Sequence, residues 1–213
     1  MDMGFTRLES DCSIYIYVKR DVRIIVLIYI DDITFASKSK SAIDATVAEF
    51  FKHFKIQDLG DTKFLLEVEV IRDYKNRTIA LSQCQYIIDM LERYGMSDCN
   101  PVQTLMQPGL KLSKSMCSQT PEEAQEMENA PYLNAIGSLQ YLATMTRPDI
   151  AYAVSCLAKF NSMPGPKHWA AVKHLLCYCK GTMDYKLEYS GQLSTELFAI
   201  FCDASHGNCL DTG

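Results

Sequence analysis

Two acidic residues stand side by side at Asp31 and Asp32, inside one of the most apolar stretches of this 213-residue chain. Adjacent ionised carboxylates repel each other, and a divalent cation that prefers oxygen ligands is the natural way to keep both charged. Magnesium suits such ligands. Paired metal ions held by carboxylates activate an attacking hydroxyl and stabilise a leaving oxygen in phosphoryl transfer, which requires at least one further carboxylate from elsewhere in the fold. Taken alone, the dipeptide is better read as a solvated Asp-Asp turn.

The other reactive side chains offer weaker chemistry. Nine cysteines occur singly, with no C-x-x-C pair, which points to reduced thiols in a cytoplasmic or nuclear setting rather than a secreted one. Cys177 and Cys179 lie near His174, but a zinc site needs a fourth ligand and no second cluster follows, so buried helix cysteines are the reading. The net charge of −5 has the wrong sign for a surface that grips nucleic acid throughout, although a local basic track remains compatible with it. No stretch approaches the ~20 apolar residues of a membrane span, and the polar start is unlike a secretory signal.

The elements that position the acidic pair come from residue pattern. Residues 13–18 and 23–36 are crowded with β-branched and aromatic side chains, as strands are, and only Asp31 and Asp32 interrupt the second run. That places the pair at a hairpin tip. Ile43, Val47, Phe50, Phe51 and Phe54 then recur at helical spacing, with Ser41 and Asp44 as a capping pair. The segment from Phe64 alternates as a strand with Phe64, Leu66, Val68 and Val70 on one face, turns at Asn76 and returns over 78–81. A helix from Ser82, capped through Gln85, carries Ile87, Met90, Leu91 and Tyr94 inward and stops at Gly95.

Residues 97–119 read as a long connection and as the best internal boundary. Thr120-Pro121 opens a short acidic helix, and stronger helices are predicted over 132–145, 148–161 and 167–180. A closing hairpin is expected from 185–189 and 196–202.

The residues around the pair resemble a known family. VLIYIDDITFAS is similar to the Y-x-D-D hairpin of reverse transcriptases, and DLGDTKFLLEVEV resembles the D-L-G-x-x-x-x-F-L-G-I-E-V block of copia-type retrotransposons. ALSQCQYIIDMLERYGM, IGSLQYLATMTRPDIAYAVSCLAKF and PKHWAAVKHLLCYCKGT resemble that family's L-S-Q-x-x-Y-I, G-S-L-x-Y-L-x-x-x-T-R-P-D-I-A and P-x-x-x-H-x-x-A-x-K-R-I-L-R-Y-L-K-G-T blocks, in order. The fold class this implies is α+β: a partial palm and primer-grip-like region over 1–96, the connection 97–119, a helical thumb- or connection-like region over 120–182, and the truncated start of a ribonuclease H-like domain over 183–213.

The resemblance implies that Asp31 is the palm metal ligand with Asp32 as its neighbour, that Tyr29 stands beside the incoming nucleotide or primer end, and that the cofactor is Mg2+. It implies a primer terminus near the hairpin starting at Lys63, where Glu67 replaces the family's usual Gly. Lys159, Lys167, Lys173 and Lys180 are candidate contacts to duplex phosphates, with solvated helix faces as the alternative reading. Implied partners are an RNA or DNA template-primer duplex and dNTP. LFAIFCDAS resembles the first ribonuclease H strand, with Asp203 at its first acidic position, but Ser205 and His206 depart from the D-A-D-W block. The family's other palm Asp lies on a strand upstream of the matched segment, so the expectation is an RNA-directed DNA polymerase piece inactive by itself. The alternative is a non-catalytic piece that binds nucleic acid or another reverse-transcriptase chain. The final Asp211-Thr212-Gly213 also matches the aspartic protease signature, a match read as coincidence because the flap and later strands of that fold do not follow it.

Overall fold

The computed structural model describes residues 3–191 and Asp211. The chain divides into two compact units between Thr62 and Lys63.

The first unit is a four-stranded antiparallel sheet with a helix on one face. Its strands β1 (Thr6–Arg7), β2 (Ile14–Lys19), β3 (Val22–Tyr29) and β4 (Asp32–Ser37) pair in sequence order. Period-two alternation sends Ile24 and Val26 of β3 and their neighbours Tyr17, Tyr15 and Phe35 to one face. Helix α1 (Lys40–His53) covers that face, burying Phe50 against the rings of Phe35 at 5.3 Å and Phe5 at 6.3 Å. Edge-to-face rings of this kind add about 0.5–1.5 kcal/mol beyond the area they bury. Helix α1 is capped two residues earlier than the predicted Ser41. Ser39, in extended backbone, is the cap: its hydroxyl accepts from Ala42 N at 3.3 Å, while Ser41 lies inside the helix and meets the Ser39 hydroxyl at 3.0 Å.

The second unit joins another antiparallel sheet to a helical core. Strands β5 (Phe64–Leu65), β6 (Val68–Asp73), β7 (Thr78–Ser82) and β8 (Leu187–Ser190) pair in that order, and the helices are α2 (Cys84–Arg93), α3 (Pro121–Glu128), α4 (Tyr132–Met145), α5 (Ala151–Ala158) and α6 (Pro166–Gly181). The strand predicted as continuous from Phe64 is instead a tight hairpin, with Leu65 opposite Val68 and Leu66-Glu67 as its two-residue turn. The turn shifts the phase of the alternation. Leu65 therefore shares a face with buried Val68, and Phe64 is left 59% exposed. At the next turn the Asp73 carboxylate accepts from the backbone N of Asn76 at 2.9 Å and its side-chain N at 2.7 Å, which closes the loop where Asn76 was expected to.

Helix α2 starts two residues later than the Ser82 capping box predicts, because Ser82 still pairs with Glu69 in the sheet. Gln83 takes the cap position without capping; its buried side chain accepts from the Thr146 hydroxyl at 2.8 Å. Thr120 caps α3 as the sequence indicates, accepting from Glu123 N at 3.2 Å. Ile87, Met90, Leu139, Leu142, Leu157, Leu175 and Leu176 form the dry centre of the helical core. Full burial of such a side chain contributes roughly 1.5–3 kcal/mol.

The 97–119 connection lies within the second unit, although it was expected to mark the internal boundary. Leu105, Met106, Leu110 and Leu112 pack against the helical core, Val102 N donates to Cys177 O at 3.4 Å, and a short 3-10 turn spans Lys114–Met116. Apolar side chains at irregular spacing hold it there without periodic structure. Gly165 lies so close beneath that turn that an added Cβ would sit 2.0 Å from Met116 O.

Arg147, 2% exposed, ties three elements together. Its guanidinium donates to both oxygens of Asp149 at 2.9 and 2.8 Å and to the Thr182 carbonyl and hydroxyl at 3.0 and 2.7 Å, and it stands over the rings of Tyr178 and Tyr185. Burial pushes the Asp149 carboxyl upward, but the hydrogen bonds and charge of Arg147 outweigh it and hold the group below the usual carboxylate value. The Thr-Arg-Pro-Asp segment is thus a packing device at the end of α4.

Strand β8 pairs with β7, Leu187 opposite Leu81 and Ser190 opposite Thr78. The first half of the predicted closing hairpin is therefore a member of the β5–β7 sheet. Its second half, 196–202, lies outside the described residues, as does Asp203. No described helix is long and apolar enough to cross a membrane.

Candidate functional site

Strands β3 and β4 carry the acidic pair. Their register sets Ile24 opposite Ser37, Val26 opposite Phe35, and Tyr29 opposite Asp32, leaving Ile30 and Asp31 as a two-residue turn. The pair is at the hairpin tip, as expected. Side chains directly opposite each other in an antiparallel pair share a face, so Tyr29 and Asp32 project from the sheet face away from α1, and Asp31 occupies the turn itself.

The tip is strained. Ile30 takes φ +52° and is 82% exposed. A β-branched residue in left-handed backbone is a steric outlier, and strained positions of this kind cost of order 1–3 kcal/mol where the surrounding structure imposes them. Here the paired strands impose it, since a two-residue hairpin needs positive φ at its first central position.

Asp31 and Asp32 are exposed, and neither carboxylate carries a hydrogen bond or ion pair among the described residues. They present hard oxygen ligands of the type magnesium takes. No group of three or more His, Cys, Asp or Glu that could hold a metal occurs among the described residues. The described residues therefore do not by themselves complete a magnesium site.

The other predicted residues separate. Lys63 and Glu67 are exposed at the β5–β6 hairpin, with Glu67 in the turn at φ +61° and Leu66 before it at φ +51°. Both central residues in left-handed backbone define a turn that strongly favours glycine, which explains in backbone terms the glycine of the resembled block. The Leu66 carbonyl accepts from the Tyr141 hydroxyl of α4, and the Tyr141 ring meets Tyr86 of α2 edge-on at 5.3 Å. This contact was not foreseen, although both tyrosines fall in quoted blocks.

Lys159, Lys167 and Lys173 are exposed. Lys167 and Lys173, six residues apart on α6, stand about 120° apart around the helix and form no single stripe. Lys180 is engaged: its ammonium donates to Ser97 O at 2.6 Å and Cys99 O at 2.8 Å, fastening the connection to α6. His174 bonds Thr104, and Cys179 is fully buried, its thiol pushed up to about 12 by burial. Asp211 accepts from Lys114 N at 3.0 Å.

Comparison with known proteins identifies the class of protein that carries this acidic hairpin. A family profile described as "Reverse transcriptase (RNA-dependent DNA polymerase)" matches residues 1–108. The chain belongs to the reverse transcriptase family, as a region of the copia-type retrotransposon kind. It is 39% identical over 209 residues to the retrovirus-related Pol polyprotein from transposon TNT 1-94 of Nicotiana tabacum, covering 97% of this chain and 16% of that protein. It is 32% identical over 185 residues to the corresponding polyproteins from transposons RE1 and RE2 of Arabidopsis thaliana, covering 87% of this chain and 12% of each. The chain thus spans less than a fifth of the length of these relatives. No solved structure matches it.

Proposed function

We infer that this chain supplies the palm hairpin and primer-facing hairpin of an RNA-directed DNA polymerase, and that it does not polymerise by itself. The observation that carries this reading is the exposed Tyr29–Asp32 tip, which presents two carboxylates without a partner among the described residues, in a chain of the reverse transcriptase family. Asp31 and Asp32 act as acidic ligands beside the nucleotide-transfer site, with Tyr29 next to Asp32 on the same sheet face. The turn at Leu66-Glu67 faces the primer end. Template-primer duplex and dNTP are the substrates of the complete enzyme, and Mg2+ is its metal.

The absence of a third acidic ligand near the pair among the described residues supports the inactivity. It equally favours the non-catalytic reading, in which the same chain binds a duplex by its backbone or joins another reverse-transcriptase chain. Primer extension tests the first statement: purified chain, a DNA primer on an RNA template, dNTP and magnesium should give no incorporation. Incorporation that Asp31→Asn abolishes would refute it. For binding, weak duplex affinity should fall as salt rises, and each of Lys159→Ala, Lys167→Ala and Lys173→Ala should flatten that salt dependence. No affinity at low salt would reject the duplex contact.

A further inference from the structure

The β5–β6 turn is an awkward object to present to a ligand with any precision. Two residues with side chains, Leu66 and Glu67, sit in left-handed backbone, and the strand before them is only Phe64–Leu65. That strand meets β6 at two positions, Phe64 opposite Glu69 and Leu65 opposite Val68, so few backbone bonds fix the tip from within the hairpin. Among the described residues the tip is tied from outside the hairpin: the Tyr141 hydroxyl donates to the Leu66 carbonyl across 75 residues of sequence. Tyr141 is itself fixed. Its ring packs edge-on against Tyr86, whose own hydroxyl donates to Ser138 O of α4 at 3.2 Å, and Tyr94 of the α2 end meets the Ser138 hydroxyl at 2.9 Å.

We propose that Tyr141 is a positioning residue: its hydroxyl, held in place by the Tyr86 ring, pins the Leu66 carbonyl and so fixes the pose in which the turn meets a primer end. The inference rests on the reading of this hairpin as primer-facing. Helix α4 is the rigid reference, with Leu139 and Leu142 on either side of Tyr141 fully buried in the helical core. The turn is thereby referred to the helices as well as to its own strands, β5 of two residues and β6 of six. The chain uses side-chain chemistry to stiffen what the backbone alone leaves loose.

Tyr141→Phe removes the hydroxyl and keeps the ring contact with Tyr86. Tyr86→Phe is the matched control, since it loses a hydroxyl-to-carbonyl bond from the same ring pair without touching Leu66. The full chain is measured in two ways: amide exchange at Glu67 and Val68, and affinity for an RNA–DNA duplex with a recessed DNA 3′ end relative to the same duplex made blunt. Wild type should prefer the recessed end. Tyr141→Phe should speed exchange at the turn about tenfold, the effect of losing one hydrogen bond locally, and should abolish the preference. Tyr86→Phe should leave both as in wild type.

An undiminished preference in Tyr141→Phe, or unchanged turn exchange, overturns the proposal while the primer-facing reading stands. The same loss in Tyr86→Phe also overturns it, because the effect would then be general packing. A wild-type chain that binds both duplexes equally removes the primer-facing reading, and the proposal with it.

Discussion

Replacing Glu67 by glycine should make this protein more stable. Glu67 is the second central residue of the Leu66-Glu67 turn, at φ +61°, and its side chain is exposed. Left-handed backbone brings a Cβ too close to the following carbonyl and costs about 1–2 kcal/mol, which glycine avoids. Glycine also adds freedom to the unfolded chain, an opposing effect of about 0.5–1 kcal/mol. The difference leaves a gain of about 0.5–1 kcal/mol. In urea, with a slope of about 2 kcal/mol per molar for a unit of this size, the midpoint should rise by about 0.3 M. Far-UV circular dichroism across a urea titration reads it, with Glu67→Ala as the companion that removes the carboxylate and keeps the Cβ. A glycine variant with an unchanged or lower midpoint would refute the strain argument. So would an alanine variant that gains as much as glycine, since charge rather than backbone would then be responsible.

Other outcomes follow from the packing. Arg147→Met should destabilise by about 3 kcal/mol in the same titration, because it removes the charge paired with Asp149; the figure sits at the low end for a broken buried pair since Asp149 is partly solvated and keeps the Tyr178 hydroxyl at 3.0 Å, while the Thr182 carbonyl keeps Tyr185 N at 3.1 Å. Asp149, held below its usual value of 3.8, contributes stability that is present above that pH and lost as pH falls through its lowered value, so acid unfolding below about pH 4 should shift in Asp149→Asn. Gly165→Ala should cost about 1–3 kcal/mol in thermal or urea unfolding, as the new methyl meets the Met116 carbonyl. His168 is fully buried, stacked on Phe160 at 4.0 Å with its Nδ1 accepting from Gly165 N, and burial lowers its pKa below 6.5. Its contribution is therefore present above pH 6.5 and lost as pH falls through the lowered value; an unfolding midpoint independent of pH between 7 and 5 would contradict this.

The acidic hairpin was legible because β-branched runs on both sides of Asp31-Asp32 leave only a turn for two carboxylates. Helix α4 was legible over its whole length because its apolar residues recur at helical period between Pro131 and Thr146. The β5–β6 turn was hidden for a corresponding reason. Phe64, Leu65 and Leu66 are all apolar, so the alternation has no readable phase, and Leu-Glu lacks the Asn-Gly or Asp-Gly chemistry that marks a two-residue turn. The caps at Ser39 and Ser41 differ only in backbone conformation, which neighbouring serines do not announce. The Tyr141 to Leu66 bond and the pairing of β8 with β7 join distant segments, and local pattern carries no information about either. At the candidate site, the sequence named the tip, but the strand register that puts Ile30 in the turn, and the tie from Lys180 to Ser97 and Cys99, are not written in local pattern.

The place of β8 has a consequence for how the second unit is made. On a ribosome, β7 emerges roughly a hundred residues before its outer neighbour, so its free edge persists while five helices are being synthesised. Throughout that interval β7 offers open hydrogen-bonding groups to any passing strand, and the arrival of Leu187–Ser190 covers that edge. A frameshift or nonsense change shortly before Leu187 would leave the helical core's residues almost intact and yet yield a sticky product. The late pairing of Leu187–Ser190, rather than the helical bulk, decides when the edge of β7 is covered.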